Sequence, residues 1–599
     1  MDDATAIWVE RFGKALAAHD ITAATALFTE DGHWRDLLAF TWNIKTFAGR
    51  PEIAAMLQAV LPGVEPRGWR AEGAAEVEGN RAESWIRFET ATGHGRGRLR
   101  LEDGLCKVLL TTLDDLKGHE EPRGPRRPQG VTHRADRNRR TWSEARAAEL
   151  ARMGSDDQPY CLVIGGGQGG LALGARLRHL GVPALIVEQN DRAGDSWRNR
   201  YRSLVLHDPV WYDHMPYLPF PDSWPVFTPK DKMGDWLESY ASIFELNIWT
   251  RSRTVSASLD PVAGRWTVTV DRDGTPVTLH PAHLVFATGA YGPPRRVDWP
   301  GAESFAGTLI HSSDYRDGRE FAGRHCIVIG AASSAHDVAV DLWEADAHVI
   351  MLQRIPTTVV RSETLMRLGF DIYSEEALAR GISTDTADML SAAVPFGLMP
   401  GSQRALYDRI RAEDADFYTR LAAAGFAVDF GDDDSGLMMK ALRTGSGYYI
   451  DVGASDLIAR GEIGVVSGDP VSRLVAAGVE LASGRVLPAD VIVACTGYQS
   501  MNETVAGIVS REVADAVGPC WGLGSGVAGD PGPWQGELRN MWKPTAQEAL
   551  WFHGGNLALS RFYSRFVALQ IKARMEGIAT PVHGRPAPLK HTPGKVRST

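Results

Sequence analysis

Cysteine is scarce in this chain. There are five in 599 residues, and no two stand in a C-x-x-C spacing. That removes a redox dithiol and a zinc knuckle, so no metal site is expected, and a reducing compartment suits the thiols. Positive charge is also short. Lys and Arg number 64 against 74 Asp and Glu, a net charge of −10, which gives nucleic-acid binding no support. No apolar run approaches the roughly 20 residues that a membrane span needs. The opening MDDATAIWVERFG is acidic and amphipathic, unlike a secretion signal. The expectation is a cytoplasmic, soluble protein with neither nucleic acid nor membrane as partner. What the chain does have is the balance of a globular protein, 44% hydrophobic and 23% charged, and room for several domains.

The pattern divides the chain. Residues 1–118 start with helical spacing in AIWVERFGKALAAHDITAATALF and continue with the strand-like AESWIRFET and GRGRLRLEDGLCKVLLTTL, which together predict an α+β cone. Residues 119–157 are a Pro-, Gly- and Arg-rich linker ending in a short helix, TWSEARAAELARM. From 158 onward, apolar strands alternate with glycine turns and helices, an α/β signal. The expected layout is a dinucleotide domain in two pieces, 158–323 and 491–577. A second dinucleotide domain, 324–490, is inserted between them and carries a helical insertion at 362–440. A Pro-, Gly- and Lys-containing tail, 578–599, completes the chain. The fold class is therefore α/β, with two Rossmann-like domains and an N-terminal α+β cone.

YCLVIGGGQGGLALGARLRHLGVPALIVEQ carries the strongest signal. An apolar strand runs into Gly165-x-Gly167-x-x-Gly170, a helix follows, and a second strand ends at Glu188, with Gln189 beside it. Gly165 permits the tight turn, Gly167 lets a pyrophosphate approach the backbone, and Gly170 lets helix and strand pack closely. The helix N-terminus attracts phosphate, and Glu188 accepts from ribose hydroxyls.

Downstream, GDSWRNRYRSLVLHDP and HLVFATGAYGPP complete a pattern that resembles the class B flavoprotein monooxygenases. That family comprises the flavin-containing monooxygenases and their Baeyer–Villiger relatives. The resemblance covers about 158–577 and recurs at FAGTLIHSSDY, YYIDVG, ACTGYQS and GGNLALSRFYSRFVALQIKAR. It implies that the first fingerprint binds FAD, enclosed by Gly194, Trp197 and the strand end Ala287-Thr288-Gly289. It also implies that backbone near Val255 meets the adenine and that Asn556 stands at the flavin end, where a helix cap explains the asparagine equally well. Phe305, Gly307, His311 and Tyr315 match the family's identifying motif, with Tyr315 on the flavin-containing-monooxygenase side. Lys230 and Tyr498 lie in family motifs.

A second fingerprint, GAASSAHD, aligns with the first. Gly330 matches Gly165, Ala332 matches Gly167 and Ala335 matches Gly170, and Ser333 and Ser334 supply hydroxyls at the helix start. Gln353 takes the place of Glu188, and Arg354 follows it. A neutral residue plus arginine accommodates a 2′-phosphate, so NADPH is expected, with NADH left open. The resemblance implies an FAD- and NAD(P)H-dependent monooxygenase that forms a C4a-(hydro)peroxyflavin. One O2 oxygen atom would then pass to a small ketone, sulfide or amine. His207, followed by Asp208, stands where the flavin-containing monooxygenases carry asparagine. This pair is the candidate catalytic group, and a loop role without catalysis is the alternative. The N-terminal unit resembles NTF2/SnoaL-like domains, found in the type II subgroup, which is Baeyer–Villiger-capable. His33, Trp34 and Asp36 are candidates to line a small pocket there, and a dimerising or cleft-covering role predicts a homodimer. Two other readings stay open: an NAD(P)H oxidase or flavin reductase that releases peroxide, and a redox-sensing flavoprotein whose N-terminal domain binds partners.

Overall fold

In the N-terminal unit, six strands form one sheet in the order Ile44–Ala48, Phe28–Leu37, Leu105–Leu116, Gly93–Glu102, Arg81–Glu89, Arg67–Glu78. Phe28–Leu37 pairs parallel with Leu105–Leu116, and the other pairings are antiparallel. The helices Ala4–Ala17 and Gly49–Val64 pack on this sheet. The computed structural model describes residues 4–131, 133–289 and 291–586, and most of the predicted tail lies outside them.

Aromatic rings fill the space between helix and sheet. Trp8 stacks on Phe12 at 4.5 Å, Phe12 meets Trp34 at 5.6 Å, Trp34 meets Phe40 at 4.8 Å, and Trp69 stacks on Phe88 at 4.4 Å. Rings of this size dominate core energetics and prefer these offset or edge contacts. Trp34 and Asp36, candidates for a pocket wall, are therefore core residues, each fully buried. Asp36 accepts from the Phe40 and Thr41 amides and from the Thr41 and Thr111 hydroxyls. Burial pushes its carboxyl up to about 6, against the pull of these hydrogen bonds.

The predicted linker helix forms as Trp142–Arg152. Its start is a capping box in which Thr141 and Glu144 satisfy each other's backbone amides. Two five-stranded parallel sheets follow. The first runs Leu550–Phe552, His283–Phe286, Cys161–Ile164, Ala184–Val187, Ile248–Trp249. The second runs Thr308–His311, Val491–Ala494, His325–Ile329, His348–Gln353, Gly464–Ser467. Their strands are short, and Cys161–Ile164, His283–Phe286 and Val491–Ala494 inside the sheets are buried throughout, as parallel strands covered on both faces must be. Between Ser362 and Thr444 lies a run of helices. It is bracketed by the parallel pair Thr358–Arg361 and Tyr448–Asp451. The last helix of this run, Gly436–Thr444, is followed by the closing strand at Tyr448.

The chain returns to the first sheet through Leu550–Phe552 and continues into the long helix Leu557–Met575, which packs on the fingerprint helix Gln168–His179. The N-terminal unit is bolted to this return segment. Arg35 reaches Glu537 with two bonds of 2.7 Å, Tyr563 at 3.0 Å and the Ala392 carbonyl at 2.8 Å. Thr46 adds a bond to Glu537, Arg565 pairs with Asp114, and the His583 amide bonds the Thr41 carbonyl. No described helix is long and apolar enough to cross a membrane.

Candidate active site

The first fingerprint turn is built for close approach. Gly165 sits at φ +109°, and a Cβ there would lie 2.4 Å from the Ala287 carbonyl oxygen. A Cβ on Gly170 would lie 1.9 Å from the Gly165 oxygen. Gly167 differs: a Cβ on it would meet only Ser196 within 4 Å, at 3.3 Å. It caps the helix Gln168–His179 and has no side chain to satisfy the first helical amides. This cradle fits a pyrophosphate.

Glu188 is buried at the end of its strand. It accepts from the Gly166 amide at 2.6 Å and from the Asn190 amide and side chain at 2.8 and 2.6 Å. Gln189 next to it is exposed. Gly194, at φ +87°, starts the helix Asp195–Arg198. Trp197 donates to Gln168 at 3.2 Å, and Gln168 donates to the Gly555 carbonyl at 3.1 Å. Three segments far apart in sequence therefore close on the fingerprint. Ala287 is buried, the Thr288 hydroxyl is buried without a partner, and Gly289 takes φ +115°. An orphaned hydroxyl beside an open glycine cradle is what a polar cofactor would satisfy, so these residues fit FAD. Val255 lies on the strand Ser252–Asp260, at a register shift, with an exposed side chain.

The second turn repeats the first. Gly330 takes φ +134° against the Cys495 carbonyl. Ala332 caps its helix at φ −96°, ψ −174°, nearly the −77°, −172° of Gly167. Both are extended conformations open to any residue, so alanine costs no backbone strain here. Ser333 bonds the Tyr448 carbonyl at 3.0 Å, while Ser334 is half-buried. Gln353 is fully engaged. It exchanges bonds with the Ala427 amide and carbonyl and holds Thr357 and Ser467. This side chain thus ties the helical insertion to the sheet. Arg354 beside it is exposed. Replacing Arg354 with alanine is expected to raise the KM for NADPH about 10- to 100-fold, the worth of a charge-assisted hydrogen bond, and to leave NADH nearly unaffected. Steady-state kinetics with both donors checks this, and equal effects would remove Arg354 from cofactor choice.

The loop of His207 and Asp208 meets residues from several elements. His207 Nε2 lies 3.9 Å from Asp208 Oδ1, too far for a hydrogen bond but within charge coupling. Their side chains are 35% and 17% exposed. Burial raises the Asp208 carboxyl, opposed by His207 and by a hydrogen bond from Asn556. Asn556 caps the helix Leu557–Met575 through the Leu559 amide at 3.0 Å, and its Nδ2 donates to the Tyr212 hydroxyl at 3.2 Å. The helix cap and the place beside Asp208 thus belong to one side chain. Sequence reasoning missed the support around it. Arg561 forms a buried bidentate pair with Asp388 and donates to the Tyr212 and His214 carbonyls at 2.6 and 2.7 Å. Tyr373 donates to Asp388 at 3.0 Å. The only local signal was the WYDH that follows His207 and Asp208. Lys230 donates to the Arg198 carbonyl at 2.8 Å, which anchors the Trp197 helix, and Tyr498 stacks on Tyr291 at 5.8 Å.

Residues 162–394 match the family model of pyridine nucleotide-disulphide oxidoreductases, and residues 9–107 match a SnoaL-like domain. An indole-3-pyruvate monooxygenase, YUCCA1 of Oryza sativa subsp. japonica, is 32% identical over 345 residues, covering 57% of this chain and 77% of that protein. A probable indole-3-pyruvate monooxygenase, YUCCA9 of Arabidopsis thaliana, is 29% identical, covering 57% of this chain and 75% of its own. Among solved structures, ε-caprolactone-bound cyclohexanone monooxygenase shares the fold with a TM-score of 0.50 at 19% identity, over 70% of this chain and 88% of that one. The chain belongs to the flavin-dependent monooxygenases, with a SnoaL-like domain at its N-terminal end. FAD and a nicotinamide dinucleotide are its cofactors.

Proposed function

We propose that this monooxygenase oxygenates a carbonyl carbon of a small ketone or 2-oxo acid, a Baeyer–Villiger-type reaction. Residues 158–323 and 491–577 hold FAD, and 324–490 hold NADPH, with NADH accepted less well. The observation that carries the reading is the His207–Asp208 pair, 3.9 Å apart and partly exposed, which the reading sets against the flavin. Carbonyl oxygenation needs the oxidant to attack as a nucleophile, so the site must be able to withhold a proton. An ionisable imidazole beside a carboxylate does this better than an asparagine. The rice relative agrees, since indole-3-pyruvate is itself a carbonyl compound. Oxygenation of a sulfide or amine is the second reading, favoured by Tyr315 in the identifying motif.

FAD held in this cradle would supply the oxygen-activating chemistry, with its electrons drawn from the nicotinamide. The protein's own part is positional. Glu188 and the Gly165–Gly170 turn bind, Trp197 and Thr288 enclose, and His207 holds or releases a proton at Nε2. The ring-filled N-terminal unit acts as a cover bolted through Arg35. All five cysteines are free, which suits a cytoplasmic enzyme, and a homodimer is the proposed assembly, to be read from mass in solution.

The test is product analysis over a panel of ketones, 2-oxo acids and sulfides. His207→Ala is expected to cut carbonyl-derived product about 100-fold, the lower range for a general acid–base group. NAD(P)H consumption should continue and hydrogen peroxide should appear. Full product yield in the variant would remove His207 from the chemistry, and turnover of sulfides alone would favour the second reading.

A further inference from the structure

A cavity of about 1390 Å³ opens beside the loop of His207 and Asp208. That exceeds the roughly 300–1,000 Å³ that encloses a drug-sized ligand. One wall is the stretch Leu204, Val205 and Leu206, which runs directly into His207, with Val226 and Phe227 beside it. The Leu206 amide bonds the Thr228 carbonyl at 2.9 Å and ties these two segments together. Trp211, just past Asp208, continues the wall. Its ring N–H donates to Glu375 at 3.0 Å, and its carbonyl accepts from Thr384 at 3.1 Å. The indole therefore pins the loop to the helical insertion. The nicotinamide domain adds Val340, and its insertion adds Met366, Tyr373 and Ala379. Neither fingerprint turn nor Arg354 is among the walls, which sets this cavity apart from the dinucleotide cradles.

Two features limit what the cavity takes. The first is apolar surface. Val205, Val226, Phe227 and Val452 are large apolar side chains that line it and remain exposed, the mark of a ligand groove. The second is the sign of its charge. Eight carboxyls and four arginines line it, and the arginines are engaged. Arg361 pairs with Asp414 at 3.5 Å, Arg367 pairs with Glu413, and Arg420 pairs with Asp456 at 2.9 Å and Asp416 at 3.1 Å. Arg380 donates to the Asp371 carbonyl at 3.4 Å. Glu344, Asp371 and Glu376 are exposed. We infer that this cavity binds the body of the substrate, and that the substrate is a bulky, apolar ketone without a carboxylate. The inference rests on the proposed carbonyl oxygenation and narrows it. A 2-oxo acid would set its carboxylate among like charges, which is costly. A ketone of a few carbons would leave most of the apolar wall uncovered.

Oxidised, FAD-loaded enzyme without NAD(P)H binds ketones without turning them over, so affinity is read apart from chemistry. The probes are 2-butanone, 2-decanone and 2-oxodecanoate, followed by calorimetry and tryptophan fluorescence. 2-Decanone is expected to bind at least about 100-fold tighter than 2-butanone, since each buried methylene contributes up to about fourfold. 2-Oxodecanoate should bind at least about tenfold weaker than 2-decanone. Ala379→Trp and Val452→Trp fill the cavity from two exposed positions on different segments. Each should weaken 2-decanone about tenfold and 2-butanone less. Asp371→Asn with Glu376→Gln should narrow the gap between 2-oxodecanoate and 2-decanone. 2-Decanone that binds no tighter than 2-butanone, or that ignores both tryptophan variants, would overturn the assignment. So would 2-oxodecanoate binding that equals the ketone's and falls in Arg380→Ala. Adding NADPH then tests the chemistry by itself. Tightly bound 2-decanone that gives no ester keeps the cavity and removes carbonyl oxygenation. Ester from 2-butanone, with no preference for length, does the reverse.

Discussion

Replacing Arg35 with alanine is expected to destabilise the protein by about 3–5 kcal/mol, the cost of leaving a buried charge without its partner. Arg35 and Glu537 have side chains only 1% and 2% exposed, and they pair through two bonds of 2.7 Å. Removing the guanidinium strands the Glu537 carboxylate, which then keeps only the Thr46 hydroxyl. It also frees the Ala392 carbonyl and the Tyr563 hydroxyl. Lys543 feels the same charges: burial first, opposed by Glu537 and reinforced by Lys45 and Arg35, pushes its amine down to about 8. Denaturant unfolding followed by tryptophan fluorescence measures the loss. The double replacement Arg35→Met with Glu537→Leu is the control. It removes both charges together and should recover most of the stability, since well-packed apolar pairs often match buried ion pairs. A single variant as stable as wild type would show that the pair is not what joins the two parts. For the same reason, truncating residues 1–118 does not cleanly release a free-standing oxidoreductase, because it exposes Glu537, Ala392 and Tyr563 at once.

This bolt was invisible in the sequence, and the reason is distance along the chain. Arg35 and Glu537 are 502 residues apart, and Asn556 and Tyr212 are 344 apart. No local spacing encodes such a meeting. The two nucleotide turns were legible for the opposite reason. Each packs its strand, turn and helix within about 30 residues, where glycine spacing and apolar runs act locally. The strand Phe28–Leu37 lay between these cases. Its residues, FTEDGHWRDL, show no clean alternation because the register shifts between Phe28 and His33. The reading of Gln353 as the neutral residue beside a 2′-phosphate followed from its alignment with Glu188. In the structure that side chain bonds Ala427 and Ser467, and Arg354 is the exposed group at the strand end. The aromatic core of the N-terminal unit shows the same limit in reverse. Trp34 and Asp36 have the residue types of a pocket, and only packing reveals that both belong to the core, while His33 on the same strand stays half-buried.

The two fingerprints also set up a comparison in which one methyl group has opposite consequences. Gly170→Ala is expected to abolish FAD retention. Its Cβ would lie 1.9 Å from the Gly165 carbonyl oxygen, a backbone atom that cannot rotate away, so helix and strand must separate at the turn. Overpacking of this kind costs about 1–3 kcal/mol or more, and it falls directly on the cofactor cradle. Gly167→Ala is expected to fold normally, because its φ of −77° suits alanine and only the Ser196 hydroxyl lies nearby. The methyl would instead stand in the open space before the helix N-terminus and weaken FAD binding about tenfold or more, a loss of about 1.4 kcal/mol. The second turn already carries this methyl as Ala332, in nearly the same backbone conformation. Ala332→Gly should therefore tighten the nicotinamide nucleotide without changing the melting temperature. Flavin absorbance per protein, equilibrium dialysis of FAD and thermal unfolding separate these outcomes. Full flavin content and unchanged unfolding in Gly170→Ala would show that the helix has slack at this contact. If Ala332→Gly left nucleotide affinity unchanged, the alanine would be no looser a grip than glycine.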